Sequence, residues 1–202
     1  MQRRNLPHIY PSGATFFVTF ALKNAIPKEV LEKMKEEKDL IIKEIELKKL
    51  HKREKKEAIY KEEKRFFAKF DKVLEKYATA DDFLKNPKVA NIVIEKIKEY
   101  DGKKYDLLAY CIMSNHVHLL FCTANYENTD VSMTMQLIKG GSSFLCNQFL
   151  NREGNFWQKE SYDHYIRNEK ELKNIEFYIL ENPVKAGLVK TWEEWEFSYI
   201  AS

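Results

Sequence analysis

Two histidines one residue apart, in Asn115-His116-Val117-His118-Leu119-Leu120, are the side chains in this sequence best spaced to share a divalent cation. On an extended strand, residues i and i+2 project to the same face, so both imidazoles point one way while Val117 enters the opposite layer. Two rings side by side suit one metal, with a nitrogen from each. The spacing is equally compatible with strand histidines hydrogen-bonded in place or exposed at a sheet edge. A structural zinc site would need four protein ligands. The three cysteines, Cys111, Cys122 and Cys146, are too few and too scattered to close one.

A second constellation is Phe177-Tyr178-Ile179-Leu180-Glu181-Asn182-Pro183. Residues four apart on a helix share a face, so Tyr178 and Asn182 belong together. A phenol, with an ordinary pKa of about 10, is a poor nucleophile. It becomes competent where a metal polarises the phosphate under attack. Asn182 is spaced to add an oxygen to two histidine nitrogens and leave positions for substrate oxygens. The plainer reading of Tyr178 is a packing residue, because Leu172, Ile175, Ile179 and Leu180 make this helix apolar. A third segment, Tyr162-Asp163-His164-Tyr165-Ile166-Arg167, alternates, with phosphate contact by Arg167 and a supporting hydrogen bond from His164 set against a polar edge strand. Arg3, Arg4, Lys139, Lys185 and Lys190 are further candidates for phosphates, or ordinary surface charges.

These side chains need elements to hold them. Residues 14–21 (ATFFVTFA) read as a buried strand after Pro11 and Gly13. From Pro27 to about Tyr77 the composition changes to Lys, Glu, Leu and Ile with no Gly or Pro, predicting two helices or one bent helix. Its apolar stripe fails around HKREKK, and the segment reads as a hairpin, a solvated appendage, a DNA-contacting arm or part of a dimer. A helix is expected from about Pro87 to Tyr100, then two strands (105–113 and 116–122) across a turn at Ser114-Asn115. A helix at about 131–150, an extended piece at 156–166 and a helix capped by Asn168 and running to Pro183 complete the order. That order predicts an α+β domain on an antiparallel sheet. The chain reads as one domain, 1–202, with a long charged helical insertion at about 28–80.

Hydrophobic residues at 44% and charged residues at 32% describe a globular chain with an unusually charged portion. The net charge of +3 admits a nucleic-acid partner without demanding one. No signal peptide and no apolar stretch near the ~20 residues of a membrane span is evident. A cytoplasmic protein with reduced cysteines and no membrane partner is therefore expected.

The motifs taken together resemble the REP-associated tyrosine transposases, within the single-tyrosine HUH transposases of the insertion-sequence type. The resemblance rests on YPSGATFFVTFALKN, MSNHVHLLF, FWQKESYDHYIRNEKELKNIEFYILENPVKAGLV and WEEWEFSY, in that order. It covers nearly the whole chain outside about 28–80. It implies a ferredoxin-like antiparallel sheet with helices on one face, and Mg²⁺ or Mn²⁺ as cofactor. His116 and His118 match the family's metal histidines, and Asn182 its third ligand, where insertion-sequence relatives usually carry glutamine. Tyr178 matches the tyrosine that attacks a DNA phosphate, leaving a 5′-phosphotyrosine link and a free 3′-OH. The implied substrate is hairpin-associated single-stranded DNA, with homodimers known among insertion-sequence relatives and monomers among REP-associated ones. The competing expectation is a domesticated protein that binds hairpin nucleic acid without cleaving it.

Overall fold

The computed structural model describes residues 13–77, 82–126, 129–159 and 161–201. Arg3 and Arg4 lie outside the described residues. The chain divides into two compact units, one formed by Met1–Lys23 with Asp82–Ser202 and the other by Asn24–Asp81.

In the first unit, five antiparallel strands form a sheet in the order β4-β1-β3-β2-β5. The strands are β1 (Thr15–Ala21), β2 (Asp106–Ile112), β3 (His116–Cys122), β4 (Tyr162–Tyr165) and β5 (Ser198–Ile200). β1, β2 and β3 carry near-continuous apolar runs because both faces of the sheet are covered. The turn between β2 and β3 is closed by the Met113 amide donating to the His116 carbonyl at 2.8 Å. Pairing of β1 with β3 sets Ala21 opposite His116 and Thr19 opposite His118.

Three helices complete this unit: α3 (Pro87–Lys98), α4 (Val131–Phe149) and α5 (Glu169–Lys185). The helices α3, α4 and α5 cover both faces of the sheet, whereas the resemblance implied helices on one face. The face bearing Val117, Leu119 and Phe121 is covered by α3 and α4. There the Tyr105 ring packs 4.8 Å from Phe121 and its hydroxyl donates to Ile97 O, while Trp157, packed on Phe20, donates to Ser142. The histidine face is covered by α5, through Tyr178 against Phe17 and His118. Both faces of β3 are apolar or buried, so both need a helix.

Side chains set where the helices begin. Asn86 accepts from Lys88 N ahead of Pro87, Asp130 from Met133 N, and Asn168 from Glu171 N. The Asn168 bond is 2.9 Å. Asn168→Ala should cost about 1 kcal/mol in urea unfolding, and an unchanged midpoint would show that the cap contributes nothing. The extended segment expected at 156–166 forms strand β4 at 162–165 and, ahead of it, an antiparallel bridge between Trp157 and Leu22, with Gln158 N donating to Ala21 O at 2.8 Å. β5 was not foreseen. Three residues carry little periodicity, and this strand exists through Tyr199 stacking on Tyr110 and Trp195 donating to Ile112 O.

The second unit is an antiparallel helical hairpin of α1 (Lys28–Leu47) and α2 (Lys52–Lys76). Of the two expected forms, two separate helices are observed. The break falls at Lys48–His51, where the apolar stripe stops, and Glu54 accepts from His51 N at 2.8 Å to start α2. Glu37 pairs with Lys69, and Lys38 lies over the Phe66 ring, holding the helices side by side. Among the described residues no helix is long and apolar enough to cross a membrane.

Candidate metal and nucleophile site

β3 is the central strand, and His116 and His118 are 1% and 0% exposed, which removes the sheet-edge alternative. Each ring is held through Nδ1. His116 Nδ1 lies 2.7 Å from Asn115 Oδ1, and His118 Nδ1 lies 2.8 Å from Thr19 Oγ1. This turns the two Nε2 atoms toward each other, 3.1 Å apart. A carbonyl oxygen only accepts, so His116 Nδ1 carries a proton and its Nε2, in a neutral ring, is a lone pair.

That geometry is a test of whether a metal fits. Two bare imidazole nitrogens at 3.1 Å would repel, so the pair needs either a proton or a cation between them. Without metal, His118 can donate from Nε2 to His116 while its Nδ1 accepts from the Thr19 hydroxyl. With metal, His118 moves its proton to Nδ1 and donates to Thr19, freeing both Nε2 lone pairs. A threonine hydroxyl can serve either arrangement because it both donates and accepts. The donor set therefore suits a divalent ion. Burial pushes His118 down to about 3, opposed by its interaction with Asn182 and reinforced by the nearby charge of Lys185. A neutral ring is the form that ligates.

α5 brings the rest. Tyr178 is half-buried, its ring 5.4 Å from His118 and 6.0 Å from Phe17, edge-on to both. Asn182, one turn on, is 1% exposed; its amide nitrogen donates to Tyr178 O, and its buried oxygen makes no hydrogen bond of good geometry. A buried carbonyl oxygen next to His118, held by no hydrogen bond of good geometry, is suited to serve as a third ligand to a shared ion. The helix continues two residues past Pro183, and this puts Lys185 Nζ 5.1 Å from the Tyr178 ring centre.

Other residues singled out from the sequence lie differently. His164 is buried and paired with Glu171 at 3.1 Å, and Glu171 also accepts from Arg167 N. It ties β4 to the start of α5 and does not face solvent. Lys139 donates to Gln158 O and Ser161 Oγ, clamping α4 to the segment before β4. Arg167 is exposed, its guanidinium 5.3 Å from the Tyr165 ring. Lys190 is exposed as well.

Sequence reasoning missed Thr19 and Asn115 as partners of the histidines. Asn115 is adjacent in sequence and could have been inferred. Thr19 is 99 residues from His118, and only the strand register reveals it. Thr19→Val keeps the shape and removes the hydroxyl. The expected result is Mn²⁺ binding about 10- to 100-fold weaker by calorimetry, whereas unchanged affinity would reduce Thr19 to a packing residue.

The profile of the family described as "Transposase IS200 like" matches residues 75–182. A Haemophilus influenzae protein assigned as a REP-associated tyrosine transposase is 34% identical over 102 residues, covering 46% of this chain and 58% of its own. The REP-associated tyrosine transposase of Escherichia coli is 30% identical over 102 residues, covering 50% and 58%. The chain thus spans little more than half the length of these relatives. Among solved structures, a REP-associated tyrosine transposase bound to a REP hairpin aligns with a TM-score of 0.54 at 19% identity. That alignment covers 97% of this chain and 82% of the other, and shows a shared fold.

Proposed function

Since the chain belongs to the IS200-like transposase family, we propose that it nicks and rejoins hairpin-associated single-stranded DNA through a 5′-phosphotyrosine intermediate. The observation that carries this reading is the meeting of two elements remote in sequence. A helical tyrosine lies 5.4 Å from a histidine whose Nε2 faces a second histidine's Nε2 at 3.1 Å.

In this mechanism His116 Nε2, His118 Nε2 and Asn182 Oδ1 would hold the ion. Bound Mg²⁺ or Mn²⁺ would supply a Lewis acid that polarises the scissile phosphate. Tyr178 gives up its phenolic proton and its oxygen attacks phosphorus. A bond from Oη to phosphorus forms, the bond from phosphorus to O3′ breaks, and the departing O3′ takes up a proton. The downstream strand stays on the enzyme, and a 3′-OH can later reverse the step, so no nucleotide cofactor is consumed. Lys185, exposed and beside the Tyr178 ring, is suited to offset phosphate charge. On this reading residues 1–202 act as one nuclease domain carrying a helical insertion, as a monomer or a homodimer.

The test is incubation with end-labelled hairpin oligonucleotides and Mn²⁺ or Mg²⁺, followed by a denaturing gel. A 3′-end label should move with the protein, and a 5′-end label should leave as a shorter strand. Binding without any adduct, across hairpins with varied single-stranded flanks, would favour the non-cleaving binder.

A further inference from the structure

The second unit distributes its charge unevenly. Residues 48–56, KKLHKREKK, hold six Lys or Arg against one acidic residue, a net of +5. Residues 24–47 hold five cationic against seven acidic side chains, and residues 57–81 hold six against six. Outside 24–81 the cationic and acidic residues balance, so this one stretch outweighs the chain's net charge of +3.

The fold sharpens the pattern. Residues 48–56 form the connection between α1 and α2 and the first turn of α2. They therefore sit at the end of the hairpin opposite its chain junctions, about 30 Å along a 20-residue helix. Lys48, Lys49, Lys52, Arg53 and Lys56 are all exposed. The single carboxylate among them, Glu54, is committed to capping His51 N. Along the shafts, by contrast, cations meet acids, as in Lys69 with Glu37, Arg65 with Glu62, and Lys28 with Glu32. A run of charge meant only for solubility has no need to be segregated by sign.

We infer that the tip of the helical hairpin, through Lys48, Lys49, Lys52, Arg53 and Lys56, binds the phosphate backbone of nucleic acid without reading its sequence. The inference rests on the DNA-directed function proposed above. Lysines on a helical turn act as point charges that release counterions from phosphates and carry no base specificity. Only Leu47 and Leu50 are exposed apolar side chains there, and no aromatic residue joins them. That is too little apolar surface for an interfacial membrane anchor.

The experiment compares the full chain with a variant carrying Lys48→Gln, Lys49→Gln, Lys52→Gln, Arg53→Gln and Lys56→Gln. Glutamine matches lysine and arginine in helix propensity, so the hairpin should persist by circular dichroism. Binding to a hairpin oligonucleotide with long single-stranded flanks is followed by fluorescence anisotropy from low to high salt. The slope of log K against log salt should shrink by about 3.5, five cations at about 0.7 each. Adduct yield at saturating DNA should stay at the level of the unmodified chain. Equal slopes for the two proteins would overturn the inference while leaving the proposed function standing. Failure of the unmodified chain to bind any of these oligonucleotides would sink both. Tip-dependent binding to phosphatidylserine vesicles, with equal DNA slopes, would overturn it in favour of a membrane surface.

Discussion

Tyr178→Phe should abolish the covalent protein–DNA adduct, by on the order of 10⁴-fold or more, while hairpin affinity changes by less than about twofold. The substitution removes one oxygen and keeps the ring, so the edge-on contacts with Phe17 and His118 survive and α5 stays seated on the sheet. Nothing that positions DNA is lost. The missing atom is the one that would bond to phosphorus, and neither a hydroxide nor a neighbouring side chain reproduces its placement. The measurement is a denaturing gel for the adduct alongside anisotropy for binding. An adduct that survives would move the nucleophile elsewhere, and the sheet register names the successor. Tyr162 pairs with Thr19 and shares the histidine face, its ring 6.5 Å from Phe17. Tyr165 pairs with Phe16 and belongs to the opposite face, so it is a poor second candidate. Loss of hairpin binding in Tyr178→Phe would instead mean that the ring itself holds DNA.

Much of this arrangement is local in origin and could be read from spacing. An i, i+2 pair on a strand and an i, i+4 pair on a helix fix which side chains travel together before any tertiary contact is known. The cap at Asn168 and the turn at Ser114-Asn115 are equally local, and they set where α5 and β3 begin. What spacing does not carry is the destination of a polar side chain. Lys139 looked like a phosphate contact because it carries a positive charge, and His164 like a supporting hydrogen bond beside the site. Their actual partners, the Gln158 carbonyl and Glu171, are chosen by how α4 and α5 dock on the sheet. Thr19 becomes a partner of His118 only through the β1–β3 register. The same limit hid β5, whose three residues are held by cross-strand stacking more than by their own pattern. In the second unit, helix propensity predicted the helices, but the absence of Gly or Pro left the break unmarked except by the lapse of the apolar stripe.

His118→Ala is expected to remove Mn²⁺ binding from the calorimetric range and eliminate the adduct, while hairpin DNA still binds. His118 Nε2 is one of two nitrogens aimed at a common point, and a two-nitrogen site reduced to one retains little hold on a divalent ion. The same variant should change how stability depends on pH in metal-free protein. Folded His118 takes a proton only near pH 3 because burial penalises its charged form, whereas in the unfolded chain it does so near 6.5. Between those values the unfolded chain binds a proton that the folded chain refuses. Its contribution to stability is therefore complete above about pH 6.5 and is lost progressively as pH falls toward 3. Removing the ring should flatten that part of the acid limb in urea unfolding, on top of a uniform loss from the cavity beside Thr19 and Phe17. The uniform loss alone, with an unchanged acid limb, would show that His118 is not held neutral by its burial. Retention of both Mn²⁺ binding and adduct would place the ion away from β3, and with it the chemistry assigned to this face of the sheet.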